Sequence, residues 1–255
     1  MSLPYRLILL IIILLTLNLS LEVHPSYAID PNYVLVYQGN YWHLYAYKTT
    51  WEAHKDDYLS QAGYPDQVYE VLRDILGVDV IQDTPDHRLY LLIWEQTGGG
   101  FATDRIDEIG KGPGIGVSFD AWINKYAGED YWSHELIAHE TTNVFTGRIV
   151  GGWPVDWWVD ERSPFPYAIK IKVEQVTGHD DAAQASMNKA DALVTMFLGF
   201  MSRYGEDIYA RMLRAIKSDG WTQWFVPNPS KNLSEYVAAY LSLAANTNLA
   251  NDINM

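Results

Sequence analysis

SHELIAHETTNVFTG, Ser133 to Gly147, reads as one helix that carries two His–Glu pairs. Two imidazoles on one helix reach a common ion only about one turn apart, because residues i and i+4 differ by roughly 40° around the axis. His134 and His139 are five apart, about 140° around the helix, and cannot share an ion. In the second register His139 is followed by Glu140, and the place one turn on is filled by Asn143. Glu135, His139 and Asn143 then follow one face. A lone His–Glu pair is more often an ordinary helix histidine, so the weight falls on what lies downstream.

Downstream stands DWWVDER, Asp156 to Arg162, with a glutamate at Glu161. Between them NVFTGRIV supplies an aromatic, Phe145, and a glycine, Gly147. On these residues the chain resembles the gluzincin clan of zinc metallopeptidases, in particular its aminopeptidase branch. In that clan two histidines one turn apart hold zinc, and the glutamate after the first takes a proton from the attacking water. A third ligand, a glutamate, comes from a second helix. The resemblance therefore implies His139, Asn143 and Glu161 as the metal set, Glu140 as the catalytic base and zinc as the cofactor. It also implies a zincin-like α+β fold with an edge strand that pairs with an extended peptide substrate, a place taken here by GIGVSF, Gly114 to Phe119. The close match covers His139 to Arg162 and its flanks.

The chain departs from that pattern. Asn143 stands where the second histidine belongs, and Arg162 replaces the glycine after the third ligand. Seventeen residues separate Asn143 from Glu161, one fewer than usual in the clan. A neutral carboxamide oxygen is a weak zinc ligand beside imidazole or carboxylate. Arg162 can pair with Glu161 or Asp160 and compete with a metal. Pro164 and Pro166 are expected to end the glutamate helix early. Three readings stay open: a metallopeptidase of atypical ligation, a metal-free peptidase fold that binds peptide or protein, and an accidental likeness. For the first, His134 or His179 could replace the missing ligand, although solvent exposure is the plainer reading of each. An oxyanion donor could come from Tyr204 or Tyr236, both of which also fit as core aromatics.

Trp153, Trp157 and Trp158 beside Asp160 and Glu161 raise a glycosidase as the competing enzyme class. Adjacent carboxylates on a helix diverge by about 100°, however, and do not face each other across one bond. GKGPGIG, Gly110 to Gly116, lacks the order of a phosphate-binding loop. Asn232-Leu233-Ser234 is a weak glycosylation sequon.

Around these motifs the chain divides into strands first and helices after, which gives the class α+β. Tyr33–Tyr47 alternates about Gly39-Asn40 and predicts a β-hairpin. Thr49 to Gly77 predicts helix with a break near Gly63-Tyr64-Pro65. His87–Glu95 predicts a buried strand, followed by a loop at Gly98-Gly99-Gly100. Ala190–Gly205 places Leu193, Phe197, Phe200, Met201 and Tyr204 on one stripe, and the two segments after it repeat that habit. No internal repeat interrupts this order.

At the amino end Arg6 precedes an apolar run, Leu7 to Leu15, and Ser26-Tyr27-Ala28 has the small residues of a cleavage site. Residues 1–28 are read as a secretory signal and 29–255 as one domain, secreted or at the cell surface, with membrane attachment only if the signal is uncleaved. There is no cysteine, which excludes a thiol nucleophile, a Cys-ligated metal and disulfides. The net charge of −14 makes nucleic acid and anionic lipid poor partners. The expected partner is a peptide or protein.

Overall fold

The structure is a computed structural model that describes residues 29–84, 86–95, 97–123, 132–150, 164–218, 233–249 and 252. Its strands are β1 (Tyr33–Gln38), β2 (Trp42–Tyr47), β3 (Leu89–Trp94), β4 (Gly100–Thr103) and β5 (Gly114–Ser118). They form one mixed sheet in the order β1-β2-β3-β5-β4. The hairpin β1–β2 and the pair β4–β5 are antiparallel, whereas β2–β3 and β3–β5 are parallel. The class is therefore α+β, as its sequence pattern indicates.

The hairpin turn is tied down from outside. Asp66 accepts from the backbone N–H groups of Asn40 (2.6 Å) and Tyr41 (2.9 Å). Asp66 lies in the first turn of α3, so the turn is held by the helix that packs beneath it. Helix α1 (Lys48–Ala53), α2 (Lys55–Ser60) and α3 (Tyr64–Leu76) follow β2. The break before Tyr64 stands as the sequence predicts, and a second one falls at His54. Gly77 closes α3 in the left-handed region (φ 66°), where a residue without a Cβ costs least.

GIGVSF corrects the expected strand order. β5 is an interior strand, buried along its whole length, and β4 lies at the edge. The reason is steric. A Cβ at Gly114 would lie 1.9 Å from the Tyr90 carbonyl oxygen, and one at Gly116 would lie 2.3 Å from the Phe101 ring. Gly114 thus lets the β3 backbone close on β5, and Gly116 leaves room for the Phe101 and Trp94 rings. β4 grows from the end of what the sequence suggests is a glycine loop.

The second half is helical: α4 (Phe119–Trp122), α5 (Trp132–Val150), α6 (Pro164–Val176), α7 (Asp180–Lys189), α8 (Ala192–Tyr204), α9 (Ile208–Ser218) and α10 (Leu233–Ala245). α5 is central. It packs on β4 and β5 of the sheet and on α3, α4, α6 and α7. From Ser133 to Thr146 every residue but His134 is buried. A helix covered on all sides needs no amphipathic stripe. Two of its threonines satisfy their hydroxyls internally: Thr142 Oγ1 donates to the Ala138 carbonyl and Thr146 Oγ1 to that of Thr142, whereas Thr141 Oγ1 has no hydrogen-bond partner among the described residues.

The glutamate helix that Pro164 and Pro166 are expected to end lies outside the described residues. Pro164 begins α6, and both prolines lie in its first turn, where no N–H donor is needed. On α8 the stripe holds at Phe197, Phe200 and Met201, with Val194 buried and Leu193 only half-buried. Among the described residues no helix is long and apolar enough to cross a membrane. Residues 1–28, on which the secretory-signal reading falls, lie outside the described residues.

Candidate functional site

The site is built on α5. His139, Glu140 and Asn143 are all buried, at 8%, 4% and 5% exposure. Phe145, two residues on, is fully buried and meets Tyr69 of α3 edge to face at 5.0 Å, which fixes the roll of this part of the helix. Asn143 lies one turn beyond His139, as the spacing requires. Its side-chain amide Nδ2 donates to Glu140 Oε2 at 3.3 Å. That bond fixes which way the carboxamide points. It leaves Asn143 Oδ1 buried with no hydrogen-bond partner among the described residues.

Zinc, the metal that the gluzincin pattern implies, can be tested against that atom. A buried carbonyl-type oxygen without a donor is a ligand position left open. A neutral carboxamide binds zinc less well than imidazole, so the fit is to a site of lowered affinity. Glu161 lies outside the described residues, together with Asp160, Arg162, Trp153, Trp157 and Trp158. Among the described residues no three His, Cys, Asp or Glu side chains converge as a metal site would need.

The two candidate substitutes are brought to each other. The His134 ring, on the first turn of α5, stacks on the ring of His179 at 3.6 Å, and both meet Tyr64 edge to face at 4.7 Å. Neither is fully exposed, which corrects the plainer reading of them. Burial pushes His134 down to about 4, with the neighbouring His179 adding to the effect. His179 is lowered by burial as well. Two neutral imidazoles stack without repulsion, which two imidazolium ions could not do. Tyr204 packs half-buried at the end of α8 beside Phe200, and its carbonyl accepts from Arg211. The Tyr236 side chain and Asn232 lie outside what is described.

A further cluster was not anticipated. Glu135, one turn before His139, accepts from Lys170 Nζ of α6 at 2.7 Å. Lys170 is 1% exposed, and its ammonium sits 4.2 Å from the centre of the Tyr167 ring. Glu174, one turn along α6, is fully buried, 4.0 Å from the same ammonium. Burial pushes its carboxyl up to about 7, against the pull of Lys170 and with the help of Glu135. The signal was present in YAIKIKVEQV: a lysine and a glutamate one helical turn apart within an apolar run.

Compared with known proteins, the chain matches no family model, no curated protein and no solved structure.

Proposed function

We propose that the protein is an exported, zincin-like metallopeptidase of gluzincin type with an atypical metal set: His139, Asn143 and Glu161. The observation that carries this reading is the buried row His139–Glu140–Asn143 on α5, with Asn143 Oδ1 left without a donor among the described residues while its amide engages Glu140. Zinc, when bound, would act as a Lewis acid on the scissile carbonyl. The remaining steps belong to the chain. Glu140 takes a proton from the attacking water and passes it to the leaving amine. Asn143 Nδ2 holds that carboxylate in place. Burial of α5 excludes bulk water around the pair and strengthens each polar contact. The substrate is a peptide or protein.

A second reading is a catalytically inactive peptidase fold that serves as a binding module outside the cell. It is favoured by the same Asn143–Glu140 hydrogen bond, which occupies the carboxylate that catalysis would need. One experiment separates the two. Purified mature protein is supplied with zinc and assayed on a mixed peptide library, beside Glu140→Gln with its fold checked by circular dichroism. Hydrolysis that is lost in Glu140→Gln supports the enzyme. Wild-type protein that retains no zinc and cleaves nothing supports the module.

A further inference from the structure

The cluster Glu135–Lys170–Glu174 lies in the interior, at the junction of α5, α6 and α7. With all three side chains ionised it would hold two negative charges and one positive. The ammonium is committed to Glu135 at 2.7 Å and lies 4.0 Å from Glu174, beyond hydrogen-bond reach. Neither oxygen of Glu174 has a hydrogen-bond partner among the described residues, and Ser186 of α7 faces it without meeting hydrogen-bond geometry. An ionised carboxylate buried without donors is costly, and taking up a proton removes most of that cost.

We propose that Glu174 is the proton-binding element of a buried switch on α5. Neutral, it leaves Lys170 to hold Glu135 and with it the helix that carries His139 and Glu140. Ionised, it competes for Lys170 from its own helix, one turn away, and loosens that hold. The proton moves between the Glu174 carboxyl and water, and no other reactant is involved. The proposal does not rest on the metallopeptidase reading; it concerns how α5 is fastened.

The groups around Glu174 agree with it. Lys170 faces it from α6, Glu135 from α5, and Ser186 and Lys189 from α7. Tyr64 of α3 feels its charge and is itself held protonated by burial. α8, the remaining helix on α6, packs there through Phe197 against Phe165. Burial carries Glu174 from 4.5 up to about 7. A carboxyl raised on folding contributes stability that is full below the unfolded value and is lost as pH rises through the folded one. Glu174 therefore weakens the fold between about pH 4.5 and 7. His134 works in the opposite sense over an overlapping range, so the test is a difference between variants at each pH.

The full mature chain and Glu174→Gln are unfolded in urea at pH values from about 5 to about 8, and amide exchange is followed along α5. Gln imitates the neutral acid. The two proteins should match at the acid end. At the alkaline end Glu174→Gln should gain on the order of a hundredfold in its folded-to-unfolded ratio. Protection at Glu135–Asn143, taken relative to the intrinsic base-catalysed exchange, should fall with pH in the wild type alone. Carbon-13 NMR of the wild-type Glu174 carboxyl should show a midpoint near neutrality, and it decides the matter if the variant does not fold. A midpoint in the ordinary carboxylate range overturns the proposal. So does a stability difference that ignores pH, or α5 protection that changes with pH equally in both proteins.

Discussion

Replacing Lys170 with methionine tests how strongly α6 holds the site helix. Methionine keeps the volume of the stem and removes the charge. At 2.7 Å the attraction between Lys170 and Glu135 is about 6 kcal/mol gross for an effective dielectric of about 20. Desolvation of both groups offsets much of that, so the pair as a whole contributes little net stability. Removing only the cation is different, because Glu135 and Glu174 then stay buried without the ammonium that lies 2.7 Å from one and 4.0 Å from the other. Breaking a buried pair in this way costs about 3–5 kcal/mol. For a chain of this size that is a fall of roughly 6–20 °C in Tm. The loss should shrink toward pH 5, where Glu174 is protonated. Urea unfolding followed by tryptophan fluorescence, at about pH 8 and pH 5, measures it. The double variant Lys170→Met with Glu135→Leu should recover most of the stability near pH 6, where Glu174 is mainly neutral. The reasoning is refuted if Lys170→Met lies within about 1 kcal/mol of wild type at pH 8. It is refuted equally if the double variant is no better than the single.

Other outcomes follow from the same contacts. Gly114→Ala should destabilise by about 3 kcal/mol or more in urea, because its Cβ would meet the Tyr90 carbonyl at 1.9 Å and must part β3 from β5. Gly199→Ala, on α8 with nothing within 4 Å of the new Cβ, should instead stabilise by roughly 0.5–1 kcal/mol; a loss there would contradict the helix assignment. His134, lowered on folding to about 4, contributes stability that is present above its ordinary 6.5 and lost as pH falls toward 4. His134→Phe keeps the stack on His179 without the titration, so its melting temperature relative to wild type should rise on acidification. A difference independent of pH would show that His134 does not titrate in that range.

Much of this architecture is legible in the residues that make it. Gly39-Asn40 between alternating runs marks the hairpin, and the aromatic and β-branched content of LYLLIW marks a strand buried on both faces. What escapes is what depends on partners. β4 is four residues long with no period of its own, and it is a strand because β5 pairs with it. The close approach of β3 to β5 needs the absent side chain of Gly114, and the space at Gly116 holds the Phe101 and Trp94 rings; neither meaning appears until the strands are paired. Pro164 reads as a stop for the segment before it, which lies outside the described residues, and it stands at the start of α6. At the site, the one-turn spacing of His139 and Asn143 and their place on a single helix were readable. The engagement of Lys170 with Glu135 was not, since those residues are 35 apart in sequence and meet only by the packing of α6 on α5.

The central claim is that His139, Asn143 and Glu161 share one point in space. Anomalous scattering at the zinc edge, from crystals of the mature protein grown with zinc, tests it most directly. The account predicts a peak about 2.0–2.2 Å from an imidazole nitrogen of His139 and a carboxylate oxygen of Glu161, with Asn143 Oδ1 as the third neighbour. A map with no peak there, and Glu161 directed away from His139 and Glu140, would contradict it.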